Sequence, residues 1–202
     1  MPATSPPTHL LYLHGFRSSP QSFKARRLHS WLQKHRPEVH WWCPQLPPSP
    51  REAMALVQGG IAAWPHDTSA VLGSSLGGFY ATAVAESPGH GAWPVVLMNP
   101  AVNPARDLAA HIGAQTAFHD PQSHFFFRAE YVDELRALVV PGLTRRDRYL
   151  PFISTGDEVL SWREMDARYD GTPMRLIQGS DHALSDFDHH LPHLLRFLKL
   201  CD

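Results

Sequence analysis

Apolar residues along the chain come in short unbroken runs separated by longer amphipathic stretches. Leu10-Leu11-Tyr12-Leu13 contains no charged position, the pattern of a strand buried on both faces. Residues 20–35 then show helical spacing, with Pro20 near the start and Leu28, Trp31, Leu32 and His35 along one face. The alternation continues. Val39 to Cys43 reads as a strand ended by Pro44, 51–63 as a helix weakened by Gly59-Gly60, and Ser69 to Leu72 as a strand. Residues 76–86 read as a helix and Pro94 to Met98 as a fourth strand. Gln45-Leu46-Pro47-Pro48-Ser49-Pro50 is a stiff loop, because its prolines fix φ and remove donors.

After Asn99-Pro100-Ala101-Val102-Asn103-Pro104 the clean alternation stops. Residues 105–148 combine a helix over about 105–113, a polar stretch, the run Phe125-Phe126-Phe127 and a charged helical piece, and they read as a short lid or insertion. Leu150 to Ser154 resumes the strands, 161–169 reads as a helix, and Met174 to Ile177 is the last strand. The final helix begins near 187 and aligns Phe187, Leu191, Leu194, Leu195 and Leu198. The succession predicts one α/β domain over 1–202, with a mostly parallel sheet covered by helices on both faces. Ligands of such sheets sit beyond the carboxyl ends of the strands, so candidate residues must follow strands directly.

One segment meets that condition clearly. Gly73-Ser74-Ser75-Leu76-Gly77 is a G-x-S-x-G sequence between a strand and a helix. A sharp strand-to-helix turn needs small residues where backbones crowd and presents its central side chain at the top of the sheet, which makes Ser75 a candidate nucleophile. A serine hydroxyl needs a base, and the base an orienting acid, in the chain order serine, acid, histidine. Asp157 follows the strand ending at Ser154, and His182 follows the strand ending at Ile177. Glu158 competes for the role of acid; Asp157 is favoured because it lies nearer the strand end after Gly156. Asp181, adjacent to His182, suits a turn or cap. The oxyanion donors are expected to be the N–H groups of Leu76, at the helix start, and of Phe16, in the loop after the first strand. Gly15 lets that backbone approach a substrate. His14 either braces this loop or is a partly buried histidine with a satisfied ring.

Other patterns narrow the field. Gly73 to Gly78 spans G-x-x-x-x-G, but Phe79 occupies the position a phosphate loop gives to lysine. His189 and His193 stand four apart, yet with His190 where zinc helices carry Glu and Pro192 inside the pattern, a solvated helix start is favoured over a metal site. Phe125-Phe126-Phe127 lines an acyl pocket or belongs to the core, the latter favoured. The net charge of −1 gives no footprint for nucleic acid, and Lys24-Ala25-Arg26-Arg27 and Arg145-Arg146-Asp147-Arg148 read as solvated surface. Two cysteines, Cys43 and Cys201, make no disulfide framework. The N-terminal residues carry no signal-peptide pattern, and no apolar stretch has the length of a membrane span, so a cytoplasmic protein is expected.

Taken together, several segments resemble the α/β-hydrolase superfamily and, more narrowly, the YqiA-like bacterial esterases. They are Leu11-Tyr12-Leu13-His14-Gly15-Phe16-Arg17-Ser18-Ser19-Pro20, Pro44-Gln45-Leu46-Pro47-Pro48, Gly73-Ser74-Ser75-Leu76-Gly77-Gly78, Asn99-Pro100-Ala101-Val102, Thr155-Gly156-Asp157-Glu158-Val159-Leu160 and Asp181-His182-Ala183. The similarity spans nearly the whole chain and is weakest over 105–148; Arg17 stands where the family often has Asn. The resemblance implies a compact three-layer α/β-hydrolase fold. It further implies Ser75 as nucleophile, Asp157 as acid and His182 as base, acting on a small-molecule carboxylic ester or acyl thioester without cofactor or metal. Rival readings are another chemistry of the same triad, on carbon–carbon or peptide bonds, and a non-catalytic binding protein on the same scaffold.

Overall fold

A computed structural model describes residues 5–202; residues 1–4, the start of the stretch read above for a signal, lie outside the described residues. The strands are β1 (His9–Leu13), β2 (His40–Trp42), β3 (Ser69–Ser74), β4 (Val95–Met98), β5 (Gly113–Thr116), β6 (His124–Phe127), β7 (Tyr149–Ser154) and β8 (Arg175–Ile177). The helices are α1 (Phe23–His35), α2 (Pro50–Ile61), α3 (Leu76–Glu86), α4 (Pro104–Asp107), α5 (Ala129–Ala137), α6 (Trp162–Arg168) and α7 (Phe187–Phe197). Six strands pair in the order β2-β1-β3-β4-β7-β8, every pair parallel, while β5 and β6 form a separate antiparallel hairpin. No helix among the described residues is long and apolar enough to cross a membrane.

The unbroken apolar strands have the expected physical meaning. In β1, Leu11 and Leu13 join a core with α2, α3 and α5, whereas Leu10 and Tyr12 join a second core with α1 and α7. Strands β3, β4 and β7 divide their residues between the same two cores. Both faces of the sheet are therefore covered, and the polar positions are displaced to the strand ends. The strand order reverses between β1 and β3, which places the crevice for a ligand above the carboxyl ends of these two strands.

Residues 105–148 depart from the expected pattern. The helix expected over about 105–113 is only the single turn α4, started by Pro104 and capped by the Asn103 side chain, and then a 3-10 turn. Gly113, at φ 130°, then opens the hairpin. The aromatic run lies in β6, so it alternates: Phe127 is fully buried, Phe125 half-buried and Phe126 59% exposed. The hairpin leads to α5, whose Val132 and Leu135 enter the core beside α2 and α3.

The basic cluster 145–148 is not uniformly solvated. Arg148 is 1% exposed and pairs with the buried Glu86 carboxylate at 2.8 Å. It also donates to the carbonyls of Ala85, His90 and Trp93, and Tyr149 donates its hydroxyl to Glu86. The cation thus closes the carboxyl end of α3 and ties it to the start of β7.

At the other end of α3 the backbone turns sharply. Ser75 has φ 55° and ψ −122°, a conformation sparsely populated by residues other than glycine. Its N–H donates to the Met98 carbonyl at 3.0 Å, and its carbonyl accepts from Gly78 and Ala101 at 2.8 and 3.0 Å. Gly77 lies so close to β1 that a Cβ there would stand 1.9 Å from the Leu13 carbonyl oxygen. Gly77→Ala should therefore lower unfolding free energy by about 3 kcal/mol or more, the range of overpacking that backbone cannot relieve. Gly59 in α2 has nothing within 4 Å of an added Cβ, so Gly59→Ala should raise stability by about 0.5–1 kcal/mol. Urea titration of both variants checks the contrast.

Candidate active site

The strained turn directs the Ser75 side chain into the crevice beside two residues from other strand ends. The Ser75 hydroxyl and His182 Nε2 are 3.0 Å apart, and His182 Nδ1 lies 2.7 Å from Asp157 Oδ2. The Asp157 side chain is fully buried and that of His182 is 19% exposed, so the acid is shielded while the ring reaches the cleft. The second Asp157 oxygen accepts from the N–H groups of Val159 and Leu160 at 2.8 and 2.7 Å, which fixes the carboxylate without competing for the ring. Glu158 makes a different contact: its carboxylate accepts from the His182 backbone N–H at 3.0 Å and leaves the imidazole to Asp157. Asp181 turns away to Ser185, accepting from its N–H and its hydroxyl at 2.8 and 2.6 Å, the turn role expected for it.

Asn99, absent from the expected site residues, organises the histidine loop. It is fully buried at φ 44° directly after β4. Its amide nitrogen donates to the carbonyls of Asp181 and His182 at 3.0 and 3.1 Å and to Ser154 Oγ at 3.1 Å, while its oxygen accepts from the Ser154 N–H at 2.8 Å. One side chain thus binds the end of β7 to the backbone of His182. The signal for it lay in its place immediately after a strand.

The loop after β1 forms the other wall. A Cβ on Gly15 would stand 3.2 Å from Ser75 Cβ, so this backbone lies against the serine. His14 is 4% exposed, and its Nε2 accepts from the Leu46 N–H at 3.1 Å. That bond places the ring proton on Nδ1, which donates to the Gly15 carbonyl at 3.0 Å. Burial holds the His14 pKa below its ordinary value, with His119 acting in the same direction and the Gly15 bond opposing. His14 therefore braces the loop to the proline-rich segment with both ring nitrogens satisfied. Phe16 meets Phe125 and Phe127 edge-on, with ring centroids 5.7 and 5.2 Å apart. Arg17, at φ 59°, donates to the Thr116 carbonyl at 2.6 Å and lies 4.3 Å from the Phe118 ring centroid, so the β5–β6 hairpin is fastened to this loop.

Two clefts meet at this loop. One of about 510 Å³ is lined in part by Leu46, Pro47, Pro48, Leu76, Tyr80 and Phe125. The other, about 640 Å³, contains Ser75 and His182, carries Phe23, Phe118 and Val159 among its wall residues, and has Lys24 on its inner wall. Lys24 corrects the reading of residues 24–27 as solvated surface: Arg26 and Arg27 are exposed, but Lys24 is 9% exposed. Its ammonium donates to the Ala183 carbonyl, one residue past His182. Burial pulls its pKa down to about 8, with the negative charges of Asp181 and Asp157 pulling the other way. Among the described residues no group of three or more His, Cys, Asp or Glu side chains is arranged to hold a metal ion. His190 instead contacts Asp186, and His193 contacts Arg196.

A parallel sheet with helices on both faces, a left-handed serine between strand and helix, and a histidine and an acid at later strand ends define the α/β-hydrolase fold. Solved structures share it. Mouse alpha/beta hydrolase domain-containing protein 10 is similar at 13% identity and TM-score 0.69, covering 96% of this chain and 90% of that one. Est1E from Butyrivibrio proteoclasticus, solved with ferulic acid bound, is similar at 16% identity and TM-score 0.65, with 98% and 88% covered. The esterase domain of a Rhodothermus marinus protein is similar at 20% identity and TM-score 0.63, with 97% and 90% covered. Within this class the chain belongs to the uncharacterised protein family UPF0227, whose model matches residues 9–199.

The buried Lys24 makes the site sensitive to alkaline pH. Its folded-state pKa of about 8 lies below the ordinary 10.5, so between these values the unfolded chain holds a proton that the folded chain lacks. Stability conferred by this group must rise with pH across that window, by about 3 kcal/mol in total. Denaturant unfolding of wild type and Lys24→Met at pH 7.5 and pH 10.5 should show the stability of wild type rising relative to that of the variant by about 3 kcal/mol between the two pH values.

Proposed function

We propose that this protein is a serine hydrolase that cleaves carboxylic esters or acyl thioesters through an acyl-Ser75 intermediate. The observation that carries the reading is the hydrogen-bonded line from Ser75 Oγ through His182 to Asp157, at 3.0 and 2.7 Å, opening on a cleft. In the proposed cycle, His182 Nε2 takes the hydroxyl proton as Ser75 attacks the acyl carbon, and the buried Asp157 stabilises the imidazolium by accepting from Nδ1–H. The imidazolium then protonates the departing alcohol or thiol, and a water activated by the same nitrogen releases the acid and restores Ser75. The Leu76 N–H, at the start of α3, and the Phe16 N–H are the proposed oxyanion donors. The contact of Gly15 with Ser75 supports that placement of the loop, and each donor would contribute about 3 kcal/mol to lowering the barrier. The cleft lined by Leu46, Pro47, Pro48 and Phe125 suits an acyl chain. The similarity to the Rhodothermus marinus esterase domain agrees with this class of reaction.

A fluorophosphonate probe tests the nucleophile: wild type should label and Ser75→Ala should not. Equal labelling of the two would remove Ser75 from the mechanism. Ester turnover separates the two carboxylates. Asp157→Asn should lower kcat on the order of 10⁴-fold by losing the ring's orienting acceptor, whereas Glu158→Gln should cost less than about tenfold. The reverse ranking would assign the acid to Glu158.

A further inference from the structure

In the proposed cycle the leaving group must lie within reach of His182 Nε2, because that atom delivers its proton. His182 opens on only one of the two clefts described, the one that also contains Lys24. The walls of this cleft differ in character. Phe23, Phe118 and Val159 are large apolar residues exposed by 45, 72 and 62%. Tyr12, Ser22, Ser74 and Lys24 contribute a polar wall. The Tyr12 hydroxyl lies near the side chains of Ser22 and Ser74, yet neither Tyr12 nor Ser22 has a well-formed side-chain hydrogen bond among the described residues. Lys24 is nine-tenths buried and makes no ion pair there. Its ammonium has three donors, of which the Ala183 carbonyl takes one.

We infer that Lys24 is a specificity-determining residue that reads an acceptor oxygen on the leaving-group half of the ester. The inference rests on the serine-hydrolase reading above. A purely aliphatic leaving group would fill the cleft and leave the ammonium short of acceptors. A hydroxyl or carbonyl oxygen a few bonds from the scissile bond would satisfy it. Sites built to hydrogen-bond a substrate group discriminate strongly against the analogue that lacks it. A neutral oxygen suits the surroundings better than an anion. Asp157 and Asp181 already supply negative charge near Lys24, and Glu158 lies on the same cleft.

Three butyrate esters test this with the full chain: butyl, 3-hydroxypropyl, which replaces the terminal methyl by hydroxyl, and 2-carboxyethyl. Wild type should favour 3-hydroxypropyl over butyl by about tenfold or more in kcat/KM, and Lys24→Met should reduce that preference to about threefold or less. A Lys24-dependent preference for the carboxylate ester would also support Lys24 as the reader and show that it reads an anion. Equal wild-type turnover of butyl and 3-hydroxypropyl esters would overturn the inference. So would a Lys24→Met variant that slows all three esters by one common factor, since that is how a simple brace for the His182–Ala183 backbone behaves. Should Lys24→Met fail to fold, product inhibition of wild type gives the same comparison. 1,3-propanediol should inhibit more strongly than 1-butanol, and equal inhibition overturns the assignment. Fluorophosphonate labelling of Ser75 in parallel separates the two levels. Labelling without leaving-group discrimination rejects only the role of Lys24, whereas absence of labelling rejects the hydrolase reading beneath it.

Discussion

The left-handed backbone at Ser75 is the constraint on which the site geometry depends. A serine in that conformation costs of order 1–3 kcal/mol and persists only where its surroundings over-determine it. Here three backbone bonds hold it, one given to Met98 and two accepted from Gly78 and Ala101, while Gly77 lets α3 start in contact with β1. The strain is not isolated. Arg17, Asn99 and Ser180 also have positive φ, and each follows the carboxyl end of a sheet strand. Strand cores supply rigidity, and the unusual conformations gather where the strands release the chain. Arg17 fastens the hairpin, Asn99 fixes the histidine loop, and Ser180 precedes that loop.

Charge is organised by the same economy of position. Among the described residues, Arg148 with its partner Glu86, Asp157 and Lys24 are buried charged side chains, and the three settings differ. Arg148 is surrounded by the Glu86 carboxylate and carbonyls at the end of α3, so it is a structural tie remote from the strand ends that form the cleft. Asp157 is covered but receives two backbone N–H bonds and the His182 ring, the set of donors that an ionised carboxylate needs away from water. Lys24 alone has a single hydrogen-bond acceptor among the described residues and pays in a lowered pKa. A group held at a cost on the wall of the cleft that contains Ser75 is a better candidate for ligand recognition than one whose charge is fully answered by the fold.

Much of this arrangement was legible in the sequence because it depends on local rules. Doubly buried strands read as unbroken apolar runs, and the limits of α3 follow from the glycines and serine at its start. Asp157 and His182 were recoverable because parallel sheets concentrate ligand groups at strand ends. What was hidden depends on tertiary contacts. Lys24 and Arg148 sit in clusters whose other arginines are exposed or half-exposed, and composition does not tell which member of such a cluster turns inward. The hairpin at 113–127 was obscured because β5 carries no strong apolar pattern and is fixed by pairing with the aromatic β6. The segment read as a longer helix gives way after Asp107 to a 3-10 turn at Ala109–His111, and Gly113 at φ 130° then turns the chain into the hairpin.

In the proposed cycle, bond cleavage passes through a covalent acyl group on Ser75. An activated ester such as p-nitrophenyl butyrate makes acylation fast, so rapid mixing followed by acid quench should trap the intermediate. The account predicts a burst of p-nitrophenol approaching one equivalent per enzyme, and a butyryl adduct confined to the peptide that contains Ser75. Butyrylation at another residue within the same burst would contradict it.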